Sequence, residues 1–266
     1  MSCFYFQKGA TLTIIPASYI KQNTINPMKA LQKILMAALF LTISSYSFAK
    51  TTIAKAFDTE DRHLSGFSAV NVAGPFDVYI VQGSSESVKV EAPSDIIGRI
   101  VTEVEGGVLK IYSKSESNWN WGRNKKMVIY VSIKDVNAVS LTGSGDVYFR
   151  DGLKAPSLKI KLTGSGDITG KLDVKSLEST LSGSGDITIS GRAETSTVSV
   201  VGSGDFTGQN LTTTNTSVRV AGSGDARINA SAKIDASVVG SGDVHYTGGA
   251  TSISKSKAGS GDISRM

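Results

Sequence analysis

The chain has 266 residues, with 28 Lys plus Arg against 23 Asp plus Glu, one Cys, two His, and 40% hydrophobic but only 7% aromatic residues. A charged fraction of 19%, with short apolar runs along nearly the whole length, excludes a disordered or collagen-like chain and leaves a globular or solenoid protein of one or two domains. The single Cys3 excludes a disulfide framework and a cysteine-based metal cluster.

The net charge of +5 belongs to the start of the chain. Residues 1–49 hold Lys8, Lys21, Lys29 and Lys33 and no acid; removing those four from 28 leaves 24 basic against 23 acidic residues in 50–266. A nearly neutral body has no basic stripe to lay on phosphates, so nucleic acid is not an expected partner. From Met28, the basic Lys29 and Lys33, the apolar run Ile34 to Ile43 and the small residues Ser47 and Ala49 spell a secretory signal peptide over 28–49. Its apolar run is roughly half of the ~20 residues a bilayer span needs, so no transmembrane segment is expected in a mature chain starting near Lys50. Residues 1–27 read as a non-native upstream extension, and 50–63 as a flexible lead. No Cys stands beside the cleavage site to take a lipid anchor, and export to the periplasm, the cell surface or the medium is expected.

Residues 64–140 read as an irregular β-rich part. Val70 to Val72, Phe76 to Val81, Val88 to Val90, Val108 to Tyr112 and Met127 to Ile133 alternate or run apolar as strands do, and Gly106-Gly107 reads as a hairpin-like turn. They form either larger first coils or a small sheet over the N-terminal end of a solenoid. The loop before the last of these strands carries both tryptophans, Trp119 and Trp121, with Arg123, Lys125 and Lys126. Aromatic faces beside cations suit a sugar or a partner surface, which makes Trp119, Trp121 and Arg123 binding candidates; the alternative is that the rings cover the end of the core.

From residue 141 the chain is periodic. Gly-Ser-Gly-Asp occurs seven times, beginning at Gly143, Gly164, Gly183, Gly202, Gly222, Gly240 and Gly259, in steps of 18 to 21 residues. Two residues before the tetrapeptide stand Leu141, Leu162, Leu181, Val200, Val220 and Val238; four before it stand Val139, Ile160, Ser179, Val198, Val218 and Ala236. Polar residues lie between them, as in a strand with one buried face. A further apolar column, Val147, Ile168, Ile187, Phe206, Ala226, Val244 and Ile263, succeeds the Asp. A unit of about 19 residues is too short for a propeller blade of ~40 to 45 and lacks the leucine-rich signature. The expected fold is all-β: a parallel β-solenoid with about 19-residue coils over 141–266, preceded by irregular larger β coils, with 64–266 as one domain. Each unit is expected to supply a strand, a corner, a short second strand and a variable return.

The tetrapeptide marks the corners. Gly143, Gly145, Gly164, Gly166, Gly183, Gly185, Gly202, Gly204, Gly222, Gly224, Gly240 and Gly242 suit positive φ or close backbone approach. The column Asp146, Asp167, Asp186, Asp205, Asp225, Asp243 and Asp262 suits carboxylates that accept turn N–H groups. A stack of carboxylates could also ligate Ca²⁺, although the spacing is not that of the nonapeptide calcium repeat. Turn-capping is the expected role and a calcium ladder the lesser one. Lys255 and Lys257 stand where earlier units are apolar, as a polar end cap or through a register slip that turns them outward.

No cofactor is expected. Two histidines, His63 and His245, make neither a histidine-rich metal centre nor a recognisable Ser/His/Asp set, and the glycine spacings miss both phosphate-loop fingerprints. Thr142, Thr163, Ser182, Thr180 and Ser199 form a flat polar face. The expected function is a non-enzymatic envelope or surface protein, a binding or scaffold module whose partner is a glycan or a surface protein, with homo-oligomerisation open. The alternative is a carbohydrate-active β-helix enzyme, a lyase or hydrolase.

The stretches Gly66-Phe-Ser-Ala-Val-Asn-Val, Gly74-Pro-Phe-Asp-Val-Tyr-Ile, Gly107-Val-Leu-Lys-Ile-Tyr and Val128-Ile-Tyr-Val, with the repeated Gly-Ser-Gly-Asp, resemble the bacterial "putative auto-transporter adhesin, head GIN domain" family over residues 64–266. The resemblance implies a right-handed parallel β-helix in exported or envelope proteins. It brings no catalytic residues.

Overall fold

The computed structural model describes residues 57–114 and 126–266, all within the compact unit Ala54–Met266. The expected signal peptide over 28–49, the expected upstream extension and the start of the expected lead lie outside the described residues, as do Trp119, Trp121 and Arg123. Among the described residues the regular structure is β, apart from one 3-10 turn at Ile97–Arg99.

The first seven strands are β1 (Phe57–Asp61), β2 (Ala69–Ala73), β3 (Asp77–Gln82), β4 (Ser87–Pro93), β5 (Ile100–Glu105), β6 (Val108–Ser113) and β7 (Val128–Ile133). They contain one complete coil and a capped end. β2 and β3 are joined by Gly74, Pro75 and Phe76; β2 pairs in parallel with β6 on one side and β8 (Ala138–Gly143) on the other. β3 likewise pairs in parallel with β7 and with β9 (Val147–Gly164). The Gly74 N–H donates to the carbonyl of Thr142 at 2.9 Å and the Asp146 N–H to that of Phe76 at 3.1 Å. Gly74-Pro-Phe-Asp77 therefore lies beneath Gly143-Ser-Gly-Asp146 as an earlier corner.

Below this coil the direction reverses. β5 pairs antiparallel with β6 through a turn at Gly106 (φ 59) and Gly107 (φ 77), and β4 pairs antiparallel with β7. β1 pairs antiparallel with the outer edge of β4, so part of the expected lead is a strand: β4 would otherwise present a row of unpaired N–H and C=O groups.

The remaining strands are β10 (Ile168–Gly183), β11 (Ile187–Gly202), β12 (Phe206–Thr207), β13 (Leu211–Gly222), β14 (Ala226–Gly240), β15 (Val244–Thr247), β16 (Ser252–Gly259) and β17 (Ile263–Arg265). Parallel pairing carries Gly143 onto Gly164, Gly183, Gly202, Gly222, Gly240 and Gly259 in one register. This is a parallel β-solenoid with coils of about 19 residues. In the units of β9, β10, β11 and β14 the second strand and the return are one piece, whereas β12 and β13, and β15 and β16, are separated. β10 and β11 run unbroken for 16 residues between corners, because each coil bends where its neighbour bends and the ladder of hydrogen bonds continues round the bend.

The inward columns fill the axis. Leu141, Leu162, Leu181, Val200, Val220 and Val238 are buried, as are Val147, Ile168, Ile187, Phe206, Ala226 and Val244 on the other side of the corner. Polar residues also stand inside. Thr213 Oγ1 and Thr216 Oγ1 share a 2.7 Å hydrogen bond, and Thr213 Oγ1 also donates to the Asn229 carbonyl. Ser179, between Ile160 and Val198 in its column, is 1% exposed, and its hydroxyl has no partner among the described residues. Ser179→Val removes that unpaired group and adds buried apolar surface, so it should stabilise the fold by about 1 kcal/mol, read as a raised melting temperature.

At the C-terminal end Lys255 and Lys257 pair in register with inward Ala236 and Val238, which excludes the register slip. Their side chains reach across the open end of the core. Lys255 Nζ donates to the Ile263 carbonyl at 2.9 Å and lies 4.8 Å from the centre of the Tyr246 ring. Lys257 Nζ stands 3.7 Å from Asp262 Oδ1.

Candidate functional site

Each corner satisfies its backbone through the coil before it. The carbonyl of Gly143 accepts from Ser165 and Gly166 N–H at 2.9 and 3.1 Å, and that of Gly164 accepts from Ser184 and Gly185 at the same distances. The first glycine of each Gly-Ser-Gly-Asp corner has φ between 122° and 134°, a region L side chains avoid. The second glycine is buried and needs its missing side chain for another reason. A Cβ on Gly185 would fall on the carbonyl oxygen of Gly166 and lie 3.0 Å from that residue's N and C.

The aspartates form a ladder through their side chains. Asp146 Oδ1 accepts the Asp167 N–H at 3.0 Å, Asp167 accepts from Asp186 at 3.0 Å, and Asp186 from Asp205 at 2.9 Å. Asp205, Asp225 and Asp243 continue it to Asp262 with bonds of 2.7 to 2.9 Å. Stacked carboxylates repel by about 1 kcal/mol per neighbour in a water-like dielectric. Backbone N–H groups offset this at every step, and the Arg227 guanidinium adds a contact of 3.7 Å to each of Asp205 and Asp225. Among the described residues no three metal-ligating side chains converge.

Two residues beyond the Asp a second outward column runs along the rod. Parallel register places Tyr130, Tyr79, Tyr148, Thr169, Thr188, Thr207, Arg227, His245 and Ser264 in one line. His245 Nδ1 is 3.0 Å from Ser264 Oγ. At the other end the three tyrosines stack: Tyr79 lies 5.6 Å from Tyr130 with planes 19° apart, and 5.0 Å from Tyr148 with planes 17° apart. Sequence reasoning missed this cluster. Its signal is the shared Asp-Val-Tyr at 77–79 and 146–148, which marks the same corner position in two adjacent coils.

The stack meets the foot of the aspartate ladder. Tyr148 Oη donates to Asp146 Oδ2 at 3.0 Å. Burial first, then this hydrogen bond and the charges of Asp146 and Asp77, push the phenol up to about 12, so it stays a neutral donor. Asp77, stacked under Asp146, is held above the ordinary carboxylate value of 3.8 by burial and by repulsion from Asp146, with Lys126 opposing. A raised folded-state value means that the stability linked to this group is present below about 3.8 and is lost as pH rises through the raised value. Asp77→Asn removes that loss. It should melt above the wild type at pH 7, and the gain should vanish at pH 3; equal gains at both pH values would refute the assignment.

β6 ends at Ser113 and β7 begins at Val128; they pair in parallel with β2 and β3, which the Gly74–Asp77 corner joins. Lys114 and Lys126, the described ends of the segment that carries the tryptophans, are both exposed. Three residues before each corner, the outward Ser140, Lys161, Thr180, Ser199, Arg219 and Ser237 are in register on the opposite side of the corner from the tyrosine column. In the column next to the glycines, Thr142, Thr163 and Ser182 give way to the exposed Val201 and Val239.

A crystal structure of a putative adhesin from Bacteroides fragilis superposes with a TM-score of 0.74 at 26% identity, over 80% of this chain and 98% of that one. One of a putative lipid binding protein from Parabacteroides distasonis gives 0.65 at 25%, again over 80% and 98%. A putative adhesin from the same organism shares the fold at 21% identity and a TM-score of 0.65, over 80% and 98%. No curated protein matches the chain. Residues 66–250 match the family model described as "Putative auto-transporter adhesin, head GIN domain", and the chain belongs to that family.

Proposed function

We propose that the chain is an exported, non-enzymatic envelope or surface protein, a stiff β-solenoid that serves as a binding or scaffold module for a glycan or a surface protein. Its mature form begins near Lys50, and residues 64–266 act as one rod. The observation that carries this reading is the in-register repetition of outward Ser, Thr and Asp along the coils. Such columns present the same shallow hydrogen-bonding groups at intervals of ~4.8 Å, which suits contact with an extended partner. The ladder carboxylates are engaged by backbone N–H groups, whereas glycoside hydrolysis needs two carboxyl groups free to face a sugar across a cleft. The putative adhesin from Bacteroides fragilis, which shares this fold, agrees with a binding role. Among the described residues no helix is long and apolar enough to cross a membrane.

Fractionation of cells making the natural protein, with N-terminal sequencing, tests export: the expected chain starts near Lys50 and is found outside the cytoplasm. Retention of residues 28–49 in a cytoplasmic product would overturn it. A panel of polysaccharides assayed for release of reducing or unsaturated ends should show none, and turnover would favour the enzyme.

A further inference from the structure

The tyrosine stack has an open end. Tyr79 covers one face of Tyr130, and the other face turns toward β4, whose Lys89 is the cross-strand partner of Tyr130. Over the outward face of β1, β3, β4 and β7 lies an open groove of about 570 Å³, a volume of small-ligand size. Thr59, Ser87, Lys89, Glu91, Tyr130 and Val131 are among its lining. Tyr130 is 36% exposed, and its Oη makes a long 3.4 Å hydrogen bond to Glu91 Oε2. Among the described residues Lys89 makes no ion pair.

We propose that this groove binds a neutral pyranoside, with the apolar C–H face of one sugar ring over Tyr130 and its hydroxyls on Lys89, Glu91 and the Thr59 and Ser87 hydroxyls. An aromatic wall with a polar rim matches a ring that is apolar on its face and hydroxylated at its edge. One ammonium balanced by one carboxylate supplies donors and acceptors without net charge. This favours a neutral ligand over a sulfated, carboxylated or phosphorylated one. A lipid chain needs a dry, enclosed cavity, and the axis of this rod is filled by buried side chains. The proposal rests on reading the chain as a binding module and names the chemistry of its ligand. It does not depend on export, which fractionation reads separately.

The test is a titration of isotope-labelled protein, tracked by amide resonances. The probes are neutral hexasaccharides of the α- and β-linked gluco, manno, xylo and N-acetylglucosaminyl series, an oligogalacturonate, and phosphatidylcholine vesicles. At least one neutral hexasaccharide should shift the amides of Lys89, Tyr130 and Val131 in a saturable way. Tyr130→Ala should weaken it by about tenfold or more, while Tyr130→Phe, which keeps the ring face, stays within about threefold. Lys175→Ala, exposed on β10 and outside both the groove and the outward Ser, Thr and Asp columns, should leave binding unchanged. The proposal is overturned if no neutral hexasaccharide moves those amides, or if the galacturonate or the vesicles bind in preference. It is equally overturned if Tyr130→Ala binds like the wild type at an unaltered melting temperature.

Discussion

Gly185→Ala is expected to cost about 3 kcal/mol, a fall in melting temperature on the order of 6 to 12 °C for a domain of this size. The added Cβ would fall on the Gly166 carbonyl oxygen, which is backbone in the coil before and cannot swing aside as a side chain could. Pushing the coils apart there also stretches the bonds from Ser184 and Gly185 N–H to the Gly164 carbonyl. β-Branched replacements should do worse. Ser184→Ala, one residue away and exposed, should change stability by less than about 0.5 kcal/mol. If Gly185→Ala melts with the wild type, the corners are not in the close contact described and the stacking register fails with them.

The second large effect is a difference between two replacements of one residue. Both Asp186→Asn and Asp186→Ala relieve repulsion from Asp167 and Asp205, but the asparagine keeps an oxygen for the Asp205 N–H, which the alanine leaves without a protein partner. Asp186→Ala should therefore be less stable than Asp186→Asn by about 1 to 2 kcal/mol, with Asp186→Asn close to the wild type. Excess Ca²⁺ should move none of the three melting curves. Saturating a real cation site at a hundredfold excess over its Kd would add about 2.7 kcal/mol, so a calcium-dependent rise lost in Asp186→Asn would turn the ladder into a metal site.

The periodic part of this fold is written openly in the chain. The seven tetrapeptides fix a register, and from that register the inward residues such as Leu162 and Ile187 are found by alternation. Ser179 and Thr216 lie inside against their polarity because the column, not the single residue, decides the facing. The first coil is hidden because 69 positions separate Gly74 from Gly143, and Pro75 and Phe76 replace the Ser and Gly that make later corners recognisable. At the antiparallel end the Gly106-Gly107 turn is legible, but β1 and β5 are not read as strands, and the pairing of β1 with β4 is long-range, with nothing in the alternation to mark its direction. The tyrosine stack needed the register of the first coil before Tyr79, Tyr130 and Tyr148 could be seen as neighbours.

The corner column also sets a scale of length. Because each coil touches only its neighbours and presents the next one with the same glycine carbonyl and the same aspartate oxygen, a duplicated unit of about 19 residues could be spliced between Gly183 and Gly202 without creating a new kind of contact. Each such unit would move the lysine-covered end away from the tyrosine groove by ~4.8 Å. The gene can thus adjust the reach of the molecule in fixed increments, with the groove and the lysine end each left as they are.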